Sequence, residues 1–245
     1  MCKSESVREL GVGILSAYNE EQKRIEEKIW SFIHVKKGDK VLDVGVGGRA
    51  ASTRRLLSLG AVVTVLDINS RLLKKHRSLN ANRICGDISW LPFASSTFNF
   101  SLAYGTLHEV NPDLHQKVIS ELARVSQNVI IVEPDPVGDQ LYSKFSDIWR
   151  RAMHSIGKFE DYQPLTYWRR LLEKSKARVL ICEKIAHERK LMGVEAERFI
   201  EETVENAKSY GVPERYLREF RDLTEDVKHL GMLLSDLNII IGKTG

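Results

Sequence analysis

Short β-branched runs alternate with stretches of helical spacing along this chain, a rhythm that predicts βαβ units on a parallel sheet. The strand patterns are Lys40–Gly45 (KVLDVG), short and buried, then Ala61–Asp67 (AVVTVLD), Arg83–Gly86, Phe98–Tyr104, Asn128–Glu133 (NVIIVE), Arg178–Ile185 and Leu237–Ile241 (LNIII). Between them, apolar residues recur every three to four positions, as one face of a helix requires. Residues 19–34 carry Ile25, Ile29 and Ile33 on one face behind Asn19 as a cap. Leu56, Leu57 and Leu59 belong to a helix stopped by Gly60. Ser70 caps a basic helix to about Leu79, and Pro112-Asp113 begins one that runs to about Val125.

Leu141, Phe145, Ile148, Ala152 and Ile156 make 139–157 an amphipathic helix, and Thr166 caps a short one ending near Lys174. The sixth and seventh strands are separated by far more chain than a crossover needs. Two helical patterns fill that gap, divided at Gly211-Val212-Pro213, where glycine stops one helix and proline starts the next. The expectation is an α/β fold with a mostly parallel seven-stranded sheet and a helical insertion between strands six and seven. It is organised as a single domain over 1–245: an N-terminal helical extension (1–35), a first half (36–136), and a second half (137–245) carrying the insertion at about 194–230.

Composition narrows the class. With 245 residues, 42% hydrophobic and 29% charged, the chain has enough apolar material for a buried core and is neither disordered nor low-complexity. No window approaches the run of about 18 apolar residues that a membrane span needs. The first thirty residues carry Glu5, Glu9, Glu20, Glu21, Glu26 and Glu27, which suits neither a signal nor a transit peptide. Cys2, Cys85 and Cys182 lie far apart without a CxxC, so the expectation is a reduced, cytoplasmic chain with no metal site. The net charge of +4 is divided unevenly. Residues 194–230 hold ten acidic and six basic side chains, a net of −4, which leaves +8 on the remainder. An acidic segment of that kind repels phosphates and argues against a nucleic-acid partner.

The chemistry concentrates at VLDVGVGGRA, residues 41–50, at a strand-to-helix turn. Glycines there permit a tight turn and close approach to a ligand. Asp67 ends the next strand 22 residues after Gly45, where an acid can accept hydrogen bonds from both hydroxyls of a ribose. Two ligands compete for this unit. Gly45-Val46-Gly47-Gly48-Arg49-Ala50 fits the dinucleotide fingerprint G-x-G-x-x-G/A, in which a helix N-terminus faces a pyrophosphate. Asp43, two residues before the first glycine, opposes a pyrophosphate and favours a ligand carrying positive charge. S-adenosylmethionine, with its ammonium and sulfonium, is such a ligand.

In these blocks the chain resembles the class I S-adenosylmethionine-dependent methyltransferases, most closely the ubiquinone/menaquinone-biosynthesis type. The resemblance covers residues 36 to about 134, through KKGDKVLDVGVGG, VTVLDIN, GDISWLPFASSTFNFSLAYGTLHEV and ELARVSQNVIIVEP in the family's order. It implies a three-layer Rossmann-like methyltransferase fold whose cofactor-binding half is 36–136. Gly45 and Gly47 would pass under the methionyl part of the cofactor, with Asp43 near its ammonium. Asp67 would hold the ribose beside Ile68, Asp87 would accept from the adenine amino group with Ile88 against the ring, and Tyr104 and Gly105 would border the methionyl moiety. Two departures stand out. Arg49 occupies the place of a usual glycine, at a cost of about 1 kcal/mol if that position needs positive φ. Ser126-Gln127-Asn128 replaces the usual Pro-Gly-Gly before the fifth strand.

A sulfonium is already a good methyl donor, so in-line alignment and exclusion of water are the protein's main tasks. His108 and Glu109, just after the fourth strand, are the catalytic candidates, each able to take a proton from an acceptor hydroxyl or enol. Glu133, Tyr142 and His154 are weaker candidates for the same cavity. The (Asn/Asp)-Pro-Pro-(Tyr/Phe) motif of planar-amine methylation is absent. The expected function is methyl transfer to a small-molecule acceptor, with the helical insertion at 194–230 serving either as a substrate lid or as the surface of a possible homodimer. The alternative is a non-catalytic binding or regulatory partner whose Arg49 reflects a degraded cofactor site.

Overall fold

The computed structural model describes residues 20–245; Asn19, the expected first cap, lies outside them. Helix α1 covers 20–32. A seven-stranded sheet follows the alternation read from the sequence: β1 (Lys40–Val44), β2 (Val62–Asp67), β3 (Asn82–Cys85), β4 (Phe98–Tyr104), β5 (Ser126–Pro134), β6 (Arg178–Ile185) and β7 (Leu237–Lys243). Their order across the sheet is β3-β2-β1-β4-β5-β7-β6. The first five strands pair in parallel, and β7 lies antiparallel to β5. β1 is therefore the point at which the strand order reverses. In open α/β sheets that point, at the carboxyl ends of the strands, is where ligands bind.

The helices are α2 (Ala51–Ser58), α3 (Ser70–Lys75), α4 (His115–Val125), α5 (Gln140–Ser155), α6 (Leu165–Lys174), α7 (Gly193–Ser209), α8 (Glu214–Asp222) and α9 (Thr224–Leu230). Local chemistry adjusts several expected boundaries. Asn69, rather than Ser70, caps α3, its side chain accepting from the N–H groups of Arg71 and Leu72. That helix stops at Lys75, well short of Leu79. Pro112–Leu114 forms a 3₁₀ turn ahead of α4, and α6 starts at Leu165, directly after Pro164, so Thr166 is already inside it. The insertion contains three helices where two were expected, because Leu223 breaks the second pattern. α4 passes into β5 with no residue between them, which is how the chain dispenses with the Pro-Gly-Gly turn.

Two compact units emerge. The sheet unit comprises Ser31–Pro134, Asp161–Lys184 and Leu237–Gly245, and the helical unit takes Asp135–Glu160 and Ile185–Asp236 together with residues 20–30. In the sheet unit β1 and β2 are buried on both faces beyond their first residue, as parallel strands covered by helices must be. Leu42, Leu66, Leu107, Ile119, Leu122 and Trp168 belong to its core. The helical unit has a core of its own, in which Phe145 lies 5.2 Å from Phe199 and 5.3 Å from Phe220, ring centre to ring centre. Glu21 takes a two-pronged ion pair from Arg24 and the N–H of Glu188, which draws its carboxyl down to about 2. No described helix is long and apolar enough to cross a membrane.

Candidate functional site

Each cofactor residue expected from the sequence lies in the sheet unit, most of them at or just beyond the carboxyl ends of β1, β2 and β4. Asp43 is the penultimate residue of β1, flanked in register by Val65 and Leu102. It is fully buried. Its Oδ2 accepts from Thr53 Oγ1 (2.6 Å) and Ser52 Oγ (3.0 Å), while Oδ1 is buried without any hydrogen-bond partner. Burial pushes its carboxyl up to about 7, against the pull of those two hydroxyls. Ser52 and Thr53 were not anticipated. The signal was present, since two hydroxyl residues stand nine and ten positions after Asp43 and open the helix that follows the glycine turn.

The turn itself has positive φ at Gly45 (80°) and Gly47 (59°), and then at Ala50 (50°). The strain expected at Arg49 therefore falls on Ala50. Arg49 is exposed and Asp43 is held by Ser52 and Thr53, so the side chain that departs from the family pattern does not fill the site. A Cβ on Gly45 would meet Thr106 Oγ1 at 2.4 Å. Around Gly47 and Gly48, and again at Gly105 (φ 60°), a Cβ would meet nothing within 4 Å. Close approach is thus required at Gly45, whereas Gly48 has no neighbour that demands its glycine. Two side chains from the end of α3 hold the turn from outside, Lys75 Nζ on the carbonyl of Gly48 (2.8 Å) and His76 Nε2 on that of Gly47 (3.1 Å).

Asp67 accepts from the N–H of Val46 (2.9 Å) and the N–H of Asn69 (2.7 Å). Ile68 beside it is 74% exposed, an open apolar side chain just past the carboxyl end of β2. Asp87 is exposed and takes the N–H of Ser89 at 2.7 Å, a local turn two residues long, with Ile88 half-buried next to it. Tyr104 closes β4, half-buried, ahead of Gly105. A buried acid with one unmatched oxygen, beside backbone that leaves room at two glycines, fits a ligand with a cationic group. It disfavours a pyrophosphate, whose charge would oppose that carboxylate.

The catalytic candidates fall on a 3₁₀ turn, Leu107–Glu109, just past β4. His108 is buried and Glu109 exposed. Glu133, at the end of β5, reaches this turn with both oxygens. Oε1 accepts the N–H groups of Thr106 (2.8 Å) and Leu107 (2.6 Å), and Oε2 lies 2.5 Å from Nδ1 of His108. Thr106 in turn donates to the carbonyl of Val44 (3.0 Å), tying the turn after β4 to the end of β1. His115, fully buried, directs Nε2 at the carbonyls of Leu107 (2.9 Å) and Val110 (3.0 Å), and burial lowers its pKa. Tyr142 and His154 lie in the helical unit: Tyr142 is buried against Ser235 Oγ (2.9 Å) and His154 is exposed. Glu133, expected only as a cavity wall, is thus the organiser of the turn. No sequence spacing announced that.

Comparison with known proteins bears on the same stretch. Residues 42–129 match the family described as "Methyltransferase domain". A demethylmenaquinone methyltransferase from Mycobacterium sp. (strain JLS) is 30% identical over 122 residues, 49% of this chain and 48% of that protein. The chain therefore matches about half the length of such curated relatives. Among solved structures, a methyltransferase assigned to an antibiotic biosynthesis pathway in Anabaena variabilis superposes with a TM-score of 0.66 at 17% identity, covering 90% of this chain and 96% of that one. An S-adenosylmethionine-dependent methyltransferase from Methanosarcina mazei gives a TM-score of 0.54 at 17% identity, covering 86% and 95%. These two show the Rossmann-like fold. Over residues 42–129 the chain carries a methyltransferase-domain pattern, and it is similar to the class I S-adenosylmethionine-dependent methyltransferases of the quinone-biosynthesis type.

Proposed function

We propose that this protein transfers a methyl group from S-adenosylmethionine to a small-molecule acceptor. The observation that carries the reading is Asp43: a fully buried carboxyl with one unpartnered oxygen, next to a glycine turn with open space at Gly47. When bound, S-adenosylmethionine supplies a methyl carbon made electrophilic by its sulfonium. The chain's own residues bind and orient. Asp43 balances the ammonium, Asp67 accepts from the ribose hydroxyls, Ile68 and Ile88 offer apolar surface to the adenine, and Asp87 accepts from its amino group. Gly45, Gly47 and Tyr104 shape the methionyl end.

His108 is the proton acceptor in this reading, with Glu109 as the second acid–base candidate on the same turn. The acceptor carries a hydroxyl, enol or amine proton that must leave as the new bond to carbon forms. Demethylmenaquinone, named in the relatives' own descriptions, is the first acceptor to test, in its reduced hydroquinone form, whose hydroxyl proton His108 would take as the ring carbon bonds to the methyl group. The acidic stretch 194–230 supports a neutral or cationic small molecule over RNA or DNA.

Calorimetric titration with S-adenosylmethionine, S-adenosylhomocysteine and NAD tests the cofactor. Micromolar binding of the first two without NAD is the expected result. Binding of NAD alone would overturn the assignment of Asp43. Titrations in buffers of different ionisation enthalpy should reveal proton release on binding near pH 7, because a cation beside Asp43 favours its ionised form.

A further inference from the structure

We propose that Glu133 is a positioning residue for His108, fixing its ring as the Nδ1–H tautomer so that Nε2 is the proton-accepting atom. Its functional weight rests on the reading of His108 as a base. The tautomer assignment itself stands on geometry alone.

Glu133 is 1% exposed and lies one residue past Val132, which pairs in parallel with Tyr104. That register brings its carboxylate level with the turn that leaves β4. Oε1 already receives two backbone N–H groups, from Thr106 and Leu107. These are pure donors, so they fix the carboxylate's orientation and leave Oε2 to face Nδ1 of His108. A carboxylate only accepts, and the hydrogen at this short contact must therefore sit on Nδ1. In a neutral imidazole the lone pair then belongs to Nε2.

The ring has little freedom to escape this arrangement. The carbonyl of His108 accepts the N–H of Asp161 at 2.9 Å, and its ring lies against Tyr162 with centres 5.0 Å apart. His115 holds the carbonyls on either side of it, those of Leu107 and Val110. A base held in one tautomer by a buried acid needs no ring flip or proton exchange before it acts. The same clamp joins the two halves of the site, since Thr106 packs against Gly45 and donates to Val44.

The test is ¹⁵N NMR of the full chain labelled at histidine, at pH 8, correlating ring nitrogens with ring protons and assigning His108 by comparison with His108→Gln. The expected wild-type pattern is a protonated Nδ1 and an unprotonated Nε2; a protonated Nε2 overturns the proposal. Glu133→Gln sharpens it. Its amide oxygen can keep the two backbone N–H groups while its NH₂ faces Nδ1, which should invert the tautomer to Nε2–H. An unchanged tautomer in that variant overturns the role of Glu133. Should the variant not fold, the wild-type protein still decides: a slowly exchanging, far-downfield Nδ1 proton marks the bond to a carboxylate, and a fast-exchanging ordinary one refutes it. Titration with S-adenosylhomocysteine separates the two readings. No binding alongside an Nδ1–H tautomer sinks the methyltransferase reading and leaves the clamp, whereas binding alongside an Nε2–H tautomer sinks the clamp alone.

Discussion

The backbone N–H of Val46 donates to Oδ2 of Asp67 at 2.9 Å, so the acid that ends β2 holds the glycine turn that ends β1. Oδ1 of the same side chain takes the N–H of Asn69 at 2.7 Å. Each carboxylate oxygen has two acceptor positions. Asp67 therefore shapes the turn and keeps capacity for ribose hydroxyls. Asp67→Asn leaves one acceptor oxygen for two N–H groups and sets an amide N–H against the other. We expect a loss of about 1–3 kcal/mol in stability and at least a tenfold weaker affinity for S-adenosylmethionine, read by urea denaturation and calorimetry. A variant with wild-type affinity would refute the ribose role.

Gly45 and Gly47 should separate under mutation. Alanine at 45 faces both a φ of 80° and the Thr106 hydroxyl 2.4 Å from its Cβ, and Thr106 cannot swing away without giving up Val44. The expected cost is about 2–4 kcal/mol, from left-handed strain plus overpacking. Alanine at 47 meets strain alone, about 1 kcal/mol, because nothing lies within 4 Å. It should fold and yet bind S-adenosylmethionine poorly. Denaturation and titration of both variants would show stability and binding parting company.

Asp43 makes stability depend on pH. Burial raises its carboxyl from an ordinary 3.8 to about 7, so the folded chain retains a proton that the unfolded chain releases. Its contribution is intact below about pH 4 and is lost as pH rises towards 7. Asp43→Asn removes that decline. The difference in Tm between wild type and variant should therefore grow in the variant's favour from pH 4 to pH 7, while its affinity for S-adenosylmethionine falls. A flat difference would mean that Asp43 is ionised throughout.

Phe220 is fully buried in the helical unit, its ring centre 5.3 Å from Phe145 and 6.0 Å from Trp149. Phe220→Ala should cost about 3–5 kcal/mol. The assigned cofactor residues all belong to the sheet unit, so S-adenosylhomocysteine affinity should persist in the folded variant. Thermal denaturation followed with and without that ligand reads both outcomes.

Periodicity and glycine punctuation made the sheet legible. Phe98–Tyr104 and Arg178–Ile185 have the bounds the alternation indicated; the first is an inner strand and largely buried, whereas the second is the edge strand of the sheet and mostly exposed. The helical insertion was legible as length and spacing, but not the break at Leu223, which no glycine or proline marks. Asp43, Gly45, Gly47 and Asp67 were legible as a motif because their roles depend on local backbone geometry over a single strand-turn-helix unit.

What the sequence by itself determined is this first unit: a glycine turn, an acid before it and an acid at the next strand end, all separated by short, regular lengths of chain. Only the tertiary structure decided how those acids are matched and where His108 is held. That Ser52 and Thr53 satisfy one oxygen of Asp43 and leave the other unmatched depends on how α2 packs on β1. Likewise, Glu133 stands 25 residues from His108 and meets it only because β4 and β5 pair in parallel, level at Tyr104 and Val132. Sequence spacing encodes contacts along one element. Contacts between elements are set by strand order and register, which arise when the whole sheet assembles.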